Sequence, residues 1–300
     1  MFKLDLHNRL WWVFPLGFLG LALIGLVYLG EGEQNEYAQT RIVRYQMEVQ
    51  NKTAIVQRNV EVYAYSPVPE SAFLKIRKVQ ATVPFTAFDD ESGNRILRFE
   101  IERLPPYATR VITITAEIGV AEKPQHMRLG DSARYLAGQK YVETDNMEIR
   151  TLAKRLSAGE PVGTLRNILK WESRNIRYAG YIRDDRGALY AYKHRKGDCT
   201  EYMYLFMALA RLNGIPARGV GGYIAANSQK LNPETYHNWV EVYLNGRWRI
   251  IDPQNGKMLE NEMNYIGFRL IDAGMLTEGS GLRNTHQFVY TRNGVNVRLN

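Results

Sequence analysis

The chain has 300 residues, a formal net charge of +8 at pH 7 and a single cysteine, Cys199. This length predicts two folded domains with apolar cores, and one cysteine excludes an intrachain disulfide scaffold. The basic residues are scattered without a basic and aromatic stripe, so no nucleic-acid-binding module is predicted, and the modest charge fits a soluble basic surface or attraction to anionic lipid or cell-wall polymer.

An apolar segment, residues 10–30, follows a short N-terminal stretch, residues 1–9, that contains Lys3 and Arg9. About 20 apolar residues suffice to cross the hydrocarbon core of a bilayer. Basic residues before the segment and three glutamates after it indicate a cytoplasmic N terminus. We therefore expect a single-pass transmembrane helix in the inner or plasma membrane, with the rest of the chain periplasmic or extracellular. A cleaved secretory signal is the alternative, although its apolar region is usually shorter and no small-x-small cleavage site follows Tyr28.

Residues 31–39 are predicted to be a polar tether, and the pattern then changes to that of a small β-sandwich domain over residues 40–123. Alternating apolar residues predict strands, and clusters of turn-forming residues separate them. The predicted strands are residues 42–49, 55–65, 72–83, 96–101 and 111–120. The domain is interpreted either as a spacer or substrate-docking domain, or as packing support alone.

Helical patterns dominate the start of the second predicted domain, residues 124–300. Two apolar stripes at helical spacing are formed by Ile149, Leu152, Ala153 and Leu156, and by Leu165, Ile168, Leu169 and Ile176. Residues 178–196 have mixed polarity and are predicted to be a loop. Two further strand candidates lie at residues 265–271 and 287–299, the second with Asn293-Gly294 as a hairpin signal.

Cys199 stands directly before a helical pattern. Apolar residues recur at three- and four-residue steps from Tyr202 to Leu212, and Asn213-Gly214 ends the pattern. Cys199 is therefore expected in the first turn of a helix with one apolar stripe. Unpaired backbone N–H groups and the positive end of the helix dipole favour a thiolate at that position, and the thiolate is the nucleophile.

His237 and Asp252 lie on two predicted strands joined by Asn245-Gly246, a strong signal for a two-residue hairpin. Counting along the ladder from that turn places Trp239 opposite Asp252. His237 then lies on the same face, diagonal to Asp252, at a Cα separation of roughly 7–8 Å. The sequence thus predicts that Asp252 orients His237, which supplies the base and its orienting group for a nucleophilic triad.

These motifs resemble the core of the transglutaminase-like superfamily, a papain-like group with Cys, His and Asp in this chain order. The resemblance covers roughly residues 135–256 and indicates a bacterial membrane-anchored type. Asn238 departs from the pattern, because bacterial members more often carry Ala there. The oxyanion-side residue of the family is not placed, and Tyr190 and Tyr192 are candidates. The matching segments are Gly197-Asp198-Cys199, Gly214-Ile215-Pro216-Ala217-Arg218, Gly222-Tyr223, His237-Asn238-Trp239-Val240-Glu241 and Asp252-Pro253.

The resemblance implies an α+β fold: a papain-like transglutaminase core preceded by the β-sandwich and the transmembrane helix. It implies a cysteine acyltransferase or cysteine protease with catalytic Cys199, His237 and Asp252, acting on amide bonds through a thioacyl intermediate. Hydrolysis would make it a peptidase or amidase, and aminolysis would give protein cross-linking. The expected partners are a protein or peptide substrate, including cell-wall peptide, and the membrane, with no cofactor and no metal. The alternative is a non-catalytic binding or scaffold module with the same fold at the membrane.

Several residues near the predicted triad are expected to have structural rather than catalytic roles. Trp239 is expected to pack beside the imidazole, and Glu241 to make a local hydrogen bond or ion pair. His194 could join Cys199 and His237 at a metal, but the usual zinc-ligand spacing is missing. The basic run at residues 194–196 is expected to be a solvated loop, or to hold a substrate carboxylate beside the thiol.

Overall fold

The computed structural model describes residues 36–271, 289–291 and 295–300. The predicted transmembrane helix at residues 10–30, the stretch before it and most of the tether lie outside these residues. Within the described ranges, no helix combines the length and the apolar character needed to cross a membrane. The fold contains both helices and strands, with a β-rich N-terminal region followed by a mixed core.

The β-rich region consists of two sheets built from six consecutive strands. The strands are β1 Gln39–Gln50, β2 Gln57–Tyr65, β3 Leu74–Ala81, β4 Phe85–Asp89, β5 Arg95–Leu104 and β6 Thr109–Val120. One sheet contains β1, β6 and β3 in that order, and the other contains β2, β5 and β4, with antiparallel pairing throughout both sets. The sequence analysis missed β4, because this edge strand is mostly exposed and lacks an alternating apolar pattern.

The two sheets bury one apolar cluster between them. Strand β1 alternates buried and partly exposed residues along its length, with Val43, Met47 and Val49 fully buried. Phe99 of β5 and Ile114 of β6 lie in the same cluster, so residues from both sheets meet in one core. This arrangement follows from the period of two in strand side chains, which sends every second residue to the inner face.

Four helices follow, α1 Met147–Leu156, α2 Pro161–Asn175, α3 Gly187–His194 and α4 Cys199–Leu212, together with the two-residue strands β7 Arg177–Tyr178 and β8 Lys196–Gly197. Helix α3 lies inside the segment that was predicted to be a loop. Its buried side consists of Gly187, Ala188 and Ala191, and such small residues give no visible apolar stripe in the sequence.

Helix α4 is the centre of the second core. The sequence predicted one apolar stripe, but residues 200–211 are all buried, because α1, α2, α3 and a sheet enclose this helix on every side. That sheet contains β9 Ala217–Ile224, β11 His237–Leu244, β12 Arg247–Asp252, β13 Lys257–Met258 and β14 Tyr265–Ile271, in the order β13-β12-β11-β9-β14. The short strand β10, Gln229–Lys230, pairs instead with β1 of the sandwich.

The C-terminal part of the chain returns to the β-rich region. Strand β15, Val289–Thr291, pairs with β2, and β16, Asn296–Leu299, pairs with β1. Among the described residues these two strands therefore join different sheets. The predicted hairpin signal, Asn293-Gly294, lies outside the described residues. Both lie in the range assigned to the catalytic domain, residues 124–300, yet their backbone hydrogen bonds belong to the sandwich.

The two regions are packed together along β14. Phe268 of β14 is buried in the same apolar cluster as the sandwich residues. The backbone N–H of Val68 donates to the carbonyl of Gly267 at 2.8 Å. The side-chain oxygen of Asn94 accepts from the Leu270 N–H at 2.6 Å, while its amide donates to the Leu270 carbonyl at 3.2 Å. The sandwich thus supports the strand that lies at one edge of the core sheet.

Candidate active site

Cys199 is the first residue of α4, as predicted, and a capping box fixes the helix start. The Asp198 carboxylate accepts from the Thr200 N–H at 2.8 Å, and the Glu201 carboxylate accepts from the Asp198 N–H at 3.1 Å. Asp198 also accepts from the Ile182 N–H at 2.8 Å, which ties the preceding loop to the same cap. Cys199 remains partly exposed while its neighbours are buried, so the thiol is accessible at a rigid helix terminus.

The hairpin that carries His237 and Asp252 has the predicted register. Leu244 pairs with Arg247, and the ladder continues to Val240 opposite Ile251. Both turn residues, Asn245 and Gly246, have positive φ angles of 50° and 79°, as a two-residue turn of this kind requires. The next position along the ladder brings Trp239 opposite Asp252, and His237 lies diagonal to it.

The imidazole and the carboxylate are in direct contact. His237 Nε2 lies 2.8 Å from Asp252 Oδ2, and both side chains are buried, with Asp252 at 0% exposure. Two more donors converge on the same oxygen: Asn255 Nδ2 at 2.8 Å and the Tyr265 hydroxyl at 3.1 Å. The second oxygen accepts from the Asn255 N–H at 3.2 Å. A buried carboxylate with this many donors is held in one orientation and in its charged form.

Cys199 lies near the His237 ring, since its thiol is one of the groups that raise the pKa of the imidazole. Because Nε2 faces Asp252, Nδ1 is the nitrogen left for the thiol. Burial acts to lower the pKa of His237, but the hydrogen bond to Asp252 and the nearby thiol outweigh it and raise the pKa to about 9. Burial acts to raise the pKa of Asp252, and the hydrogen bond from His237 reverses that, so this pKa lies below its usual value. The arrangement thus favours an imidazolium between two groups that carry or can develop negative charge.

Asn238 and Thr200 connect the helix to the hairpin. Asn238 Nδ2 donates to Thr200 Oγ1 at 3.0 Å, and both side chains are buried. Each residue is the direct neighbour of a triad member, Thr200 after Cys199 and Asn238 after His237. Asn238 is the position at which the sequence departs from the family pattern, and here its amide holds the helix terminus against the start of β11.

Two tyrosines that the sequence analysis did not single out, Tyr178 and Tyr236, lie near the thiol. Strand pairing places Tyr178 opposite Gly197, two residues before Cys199. Burial raises the pKa of both tyrosines, and Cys199 contributes to the rise in each. The available signal for Tyr178 in the sequence was only its position after the second helical stripe, and a two-residue strand is too short to recognise by periodicity.

The two tyrosines proposed from the sequence lie in other contacts. Tyr190 stacks against His194 with ring centroids 4.4 Å apart and lies under the Arg186 guanidinium. Tyr192 stacks on Trp171, and the guanidinium of Arg195 lies 4.6 Å from its ring centroid. These contacts give both tyrosines, and part of the basic run, a role in packing α3.

Other predicted features of the hairpin have their expected places. Trp239 is fully buried, with its ring centroid 6.4 Å from that of His237 and 5.2 Å from that of Tyr265. Glu241 forms a buried ion pair with Arg218 at 2.6 Å. Within the part of the chain that the structure describes, no group of three or more His, Cys, Asp or Glu side chains is placed to hold a metal ion.

A thiol, an imidazole and a carboxylate arranged in this way can perform nucleophilic acyl chemistry. The imidazole can take the thiol proton and return it to a leaving group, while the carboxylate keeps the ring in one tautomer. The Thr200 N–H in the first turn of α4 is taken by the Asp198 cap, whereas the N–H of Cys199 belongs to the nucleophile residue itself, beside which an oxyanion would form.

Comparison with known proteins agrees with this geometry. Residues 150–253 match the family model for the core of the transglutaminase-like superfamily, and this range includes Cys199, His237 and Asp252. No curated protein sequence matches the chain.

Three solved structures illustrate the likeness in fold. A protein from Cytophaga hutchinsonii, provisionally assigned as a cysteine protease, is 18% identical with a TM-score of 0.60, over 87% of this chain and 90% of that one. The periplasmic domain of TgpA from Pseudomonas aeruginosa is 16% identical with a TM-score of 0.38, over 75% and 92%. Red sea bream transglutaminase is 12% identical with a TM-score of 0.30, over 74% and 49%. The family match thus assigns the segment of residues 150–253 to the transglutaminase-like superfamily, and the first of these structures shares the fold of the chain.

Proposed function

We propose that this protein is a membrane-anchored, extracytoplasmic cysteine enzyme that transfers acyl groups from amides through a thioacyl intermediate. The observation that supports this most strongly is the buried contact between His237 Nε2 and Asp252 Oδ2 at 2.8 Å, with the partly exposed Cys199 near the ring at the start of α4. A scaffold has no chemical need for a thiol, an imidazole and a buried carboxylate in this arrangement.

The reaction would begin with attack of the Cys199 sulfur on an amide carbonyl carbon. The thiol proton is held by His237, the C–S bond forms, and the carbonyl oxygen becomes an oxyanion. The backbone N–H of Cys199 is our first candidate to stabilise that charge, and Tyr178, whose strand pairs with Gly197, is our candidate for a second donor. As the C–N bond breaks, His237 gives the proton to the leaving nitrogen, and a thioester on Cys199 remains.

The thioester is then resolved by water or by an amine. Water adds to the carbonyl carbon and releases an acid with restoration of the thiol, which makes the enzyme a peptidase or amidase. An amine gives a new amide bond and therefore cross-linking. We propose protein or peptide substrates, including cell-wall peptide, because both reactions consume amide bonds of that kind.

The proposed chemistry is tested by intact-mass spectrometry of the protein after incubation with candidate peptides and acid quenching. A covalent adduct on wild-type protein, equal in mass to the acyl half of the peptide, is expected. Cys199 is the sole cysteine, so Cys199→Ala should give no adduct while it remains folded. An adduct that persists in Cys199→Ala, or no adduct with any peptide or thiol probe, contradicts the proposal.

The proposed membrane location rests on Lys3 and Arg9 before the apolar segment and on the three glutamates after it. A protease added to intact spheroplasts should then degrade the chain after residue 39. Full protection until the inner membrane is lysed would reverse the orientation.

A further inference from the structure

A cleft of about 340 Å³ lies beside the buried carboxylate of the triad. Two of the residues that line it, Asn255 and Tyr265, also donate hydrogen bonds to Asp252 Oδ2, at 2.8 Å and 3.1 Å. The cleft therefore adjoins the His–Asp pair. Packing gaps in protein interiors are rarely larger than a water molecule, so the cleft is much larger than such a gap. It is large enough for one or two amino-acid side chains.

The position of the cleft relative to His237 indicates which part of a bound substrate would reach it. Asp252 contacts Nε2 of the imidazole, which leaves Nδ1 for the thiol. The cleft adjoins Asp252 through Asn255 and Tyr265, so it lies on the carboxylate side of the ring. The carbonyl carbon must meet the sulfur, and the leaving nitrogen must meet the proton on His237. A chain that continues beyond that nitrogen is thus directed past His237 towards the cleft.

The walls of the cleft have mixed chemistry. Asn261 and Asn264 are polar residues of the lining, and Ile224 is an apolar residue with 43% exposure. At the rim, the ammonium of Lys257 lies 3.3 Å from a carboxylate oxygen of Glu260. Amide groups suit the carbonyl and N–H groups of an extended peptide, and an exposed isoleucine offers contact to a side chain.

The loop that forms the cleft is held in a strained conformation. Leu259 and Asn261 have φ angles of +57° and +51°, a region that leucine rarely adopts. The loop is anchored by Glu262, which is buried and accepts from the Ile250 N–H at 2.8 Å and from the Arg249 guanidinium. These buried contacts hold the loop against β12.

From this placement we infer that the cleft formed by Ile224, Lys257, Asn261 and Asn264 binds the peptide segment on the amine side of the scissile bond. The inference rests on the proposed acyl-transfer function and narrows its substrate class. The amide that is broken joins two peptide segments, so the C–N cleavage releases a peptidyl amine that takes the proton from His237. A side-chain amide that releases ammonia would leave the cleft empty.

The test measures kcat/KM for two substrates with the same acyl half, identified from Cys199-dependent cleavage of a proteome-derived peptide library. One continues as a peptide beyond the scissile bond, and the other ends there as a primary amide. We expect wild-type protein to favour the first by about tenfold or more, a typical contribution of a filled apolar contact. Ile224→Trp, which fills the cleft, should reduce that ratio towards one. Ile55→Trp, at an exposed isoleucine in the sandwich, is the matched control and should keep the wild-type ratio.

Lys257→Ala gives a second measurement at an exposed position, in case Ile224→Trp does not fold. The library profile of this variant should lose preference for acidic residues just after the scissile bond by about 2–5-fold, as expected for an exposed charge pair. A wild-type ratio near one, or profiles that neither variant alters, would overturn the cleft assignment and leave acyl transfer intact. Absence of any Cys199-dependent release of peptide or ammonia would overturn the proposed function itself.

Discussion

The start of α4 and the β11–β12 hairpin hold the two halves of the site in different ways. The hairpin fixes His237 and Asp252 through its own backbone register, and four hydrogen bonds to the buried carboxylate remove the remaining freedom. The helix terminus fixes only the position of Cys199 along its own axis, through the Asp198 capping box. Its distance from the hairpin depends on tertiary contacts, namely the apolar packing of α4 against the core sheet and the Asn238–Thr200 hydrogen bond. The imidazole is therefore oriented locally, whereas the meeting of thiol and imidazole is a property of the whole fold.

Removal of the group that joins the two halves should have the largest effect. His237→Ala leaves a thiol without a proton acceptor and a leaving nitrogen without a proton donor. We expect a loss in kcat/KM on the order of 10⁴ or more, since groups that act as a unit fail together. Steady-state hydrolysis of the best peptide from the intact-mass assay measures this. Retention of more than a tenth of the activity would show that another base serves Cys199.

Disruption of the hairpin half alone should have the next largest effect. Asp252→Asn keeps the shape of the side chain, but it can place an amide NH₂ group where Oδ2 faces His237 and Asn255 in the wild-type protein. The variant therefore favours the wrong imidazole tautomer. We expect a loss on the order of 10²–10⁴ in rate. The double variant His237→Ala/Asp252→Asn should be little slower than His237→Ala alone.

The exposed Asp89→Asn in the sandwich is the matched control for that exchange and should leave the rate unchanged. Additive losses in the double variant, with each single variant folded, would mean that Asp252 acts through a group other than His237.

The hairpin half also predicts how stability depends on pH. The pKa of His237 is raised to about 9 from an ordinary value of 6.5. A raised pKa in the folded state contributes stability that is complete below about pH 6.5 and is lost as pH rises through about 9. The free energy of unfolding should therefore fall by roughly 3 kcal/mol across that range because of this group. Urea unfolding of wild type and Asp252→Asn checks it, and equal pH slopes for the two proteins would contradict the assigned cause.

Removal of the hydrogen bond between the two halves should have the smallest effect on the rate. Asn238→Ala removes the hydrogen bond from the Asn238 amide to Thr200. It breaks no second side-chain bond, because the buried Oδ1 of Asn238 has no hydrogen-bond partner among the described residues. We expect a stability loss of about 1 kcal/mol and a fall of about tenfold in kcat. Asn238→Asp should not restore the rate, because it lacks the donor. Unchanged kcat in folded Asn238→Ala would show that α4 is positioned by apolar packing alone.

The difference between the two halves also explains what the sequence could predict. Asn245-Gly246 and the alternation along β11 and β12 are local, so the register and the His237–Asp252 contact were predictable by counting. Asn255 and Tyr265 were not, because each reaches Asp252 only after the chain folds back through the loop that follows β12. Tyr178 was missed for the same reason, since a two-residue parallel pairing brings it to the thiol.

The overall fold shows the same division. The sandwich strands with alternating burial and the helices with large apolar stripes were visible in the sequence. The edge strand β4 and the glycine- and alanine-faced α3 were not, because neither carries a periodic pattern of large apolar residues. The return of β15 and β16 to the sandwich sheets depends on pairing across the whole chain, which no local pattern specifies.

The pH dependence of Cys199 alkylation by iodoacetamide tests most directly whether the two halves meet as one site. Cys199 is the sole cysteine, so intact mass reports its modification without ambiguity. With the thiol near His237 at the start of α4, we expect alkylation between about pH 6 and 7 to be faster than that of a free model thiol, and to slow in His237→Ala. A wild-type rate equal to that of the free model thiol, and unchanged in His237→Ala, would contradict the account.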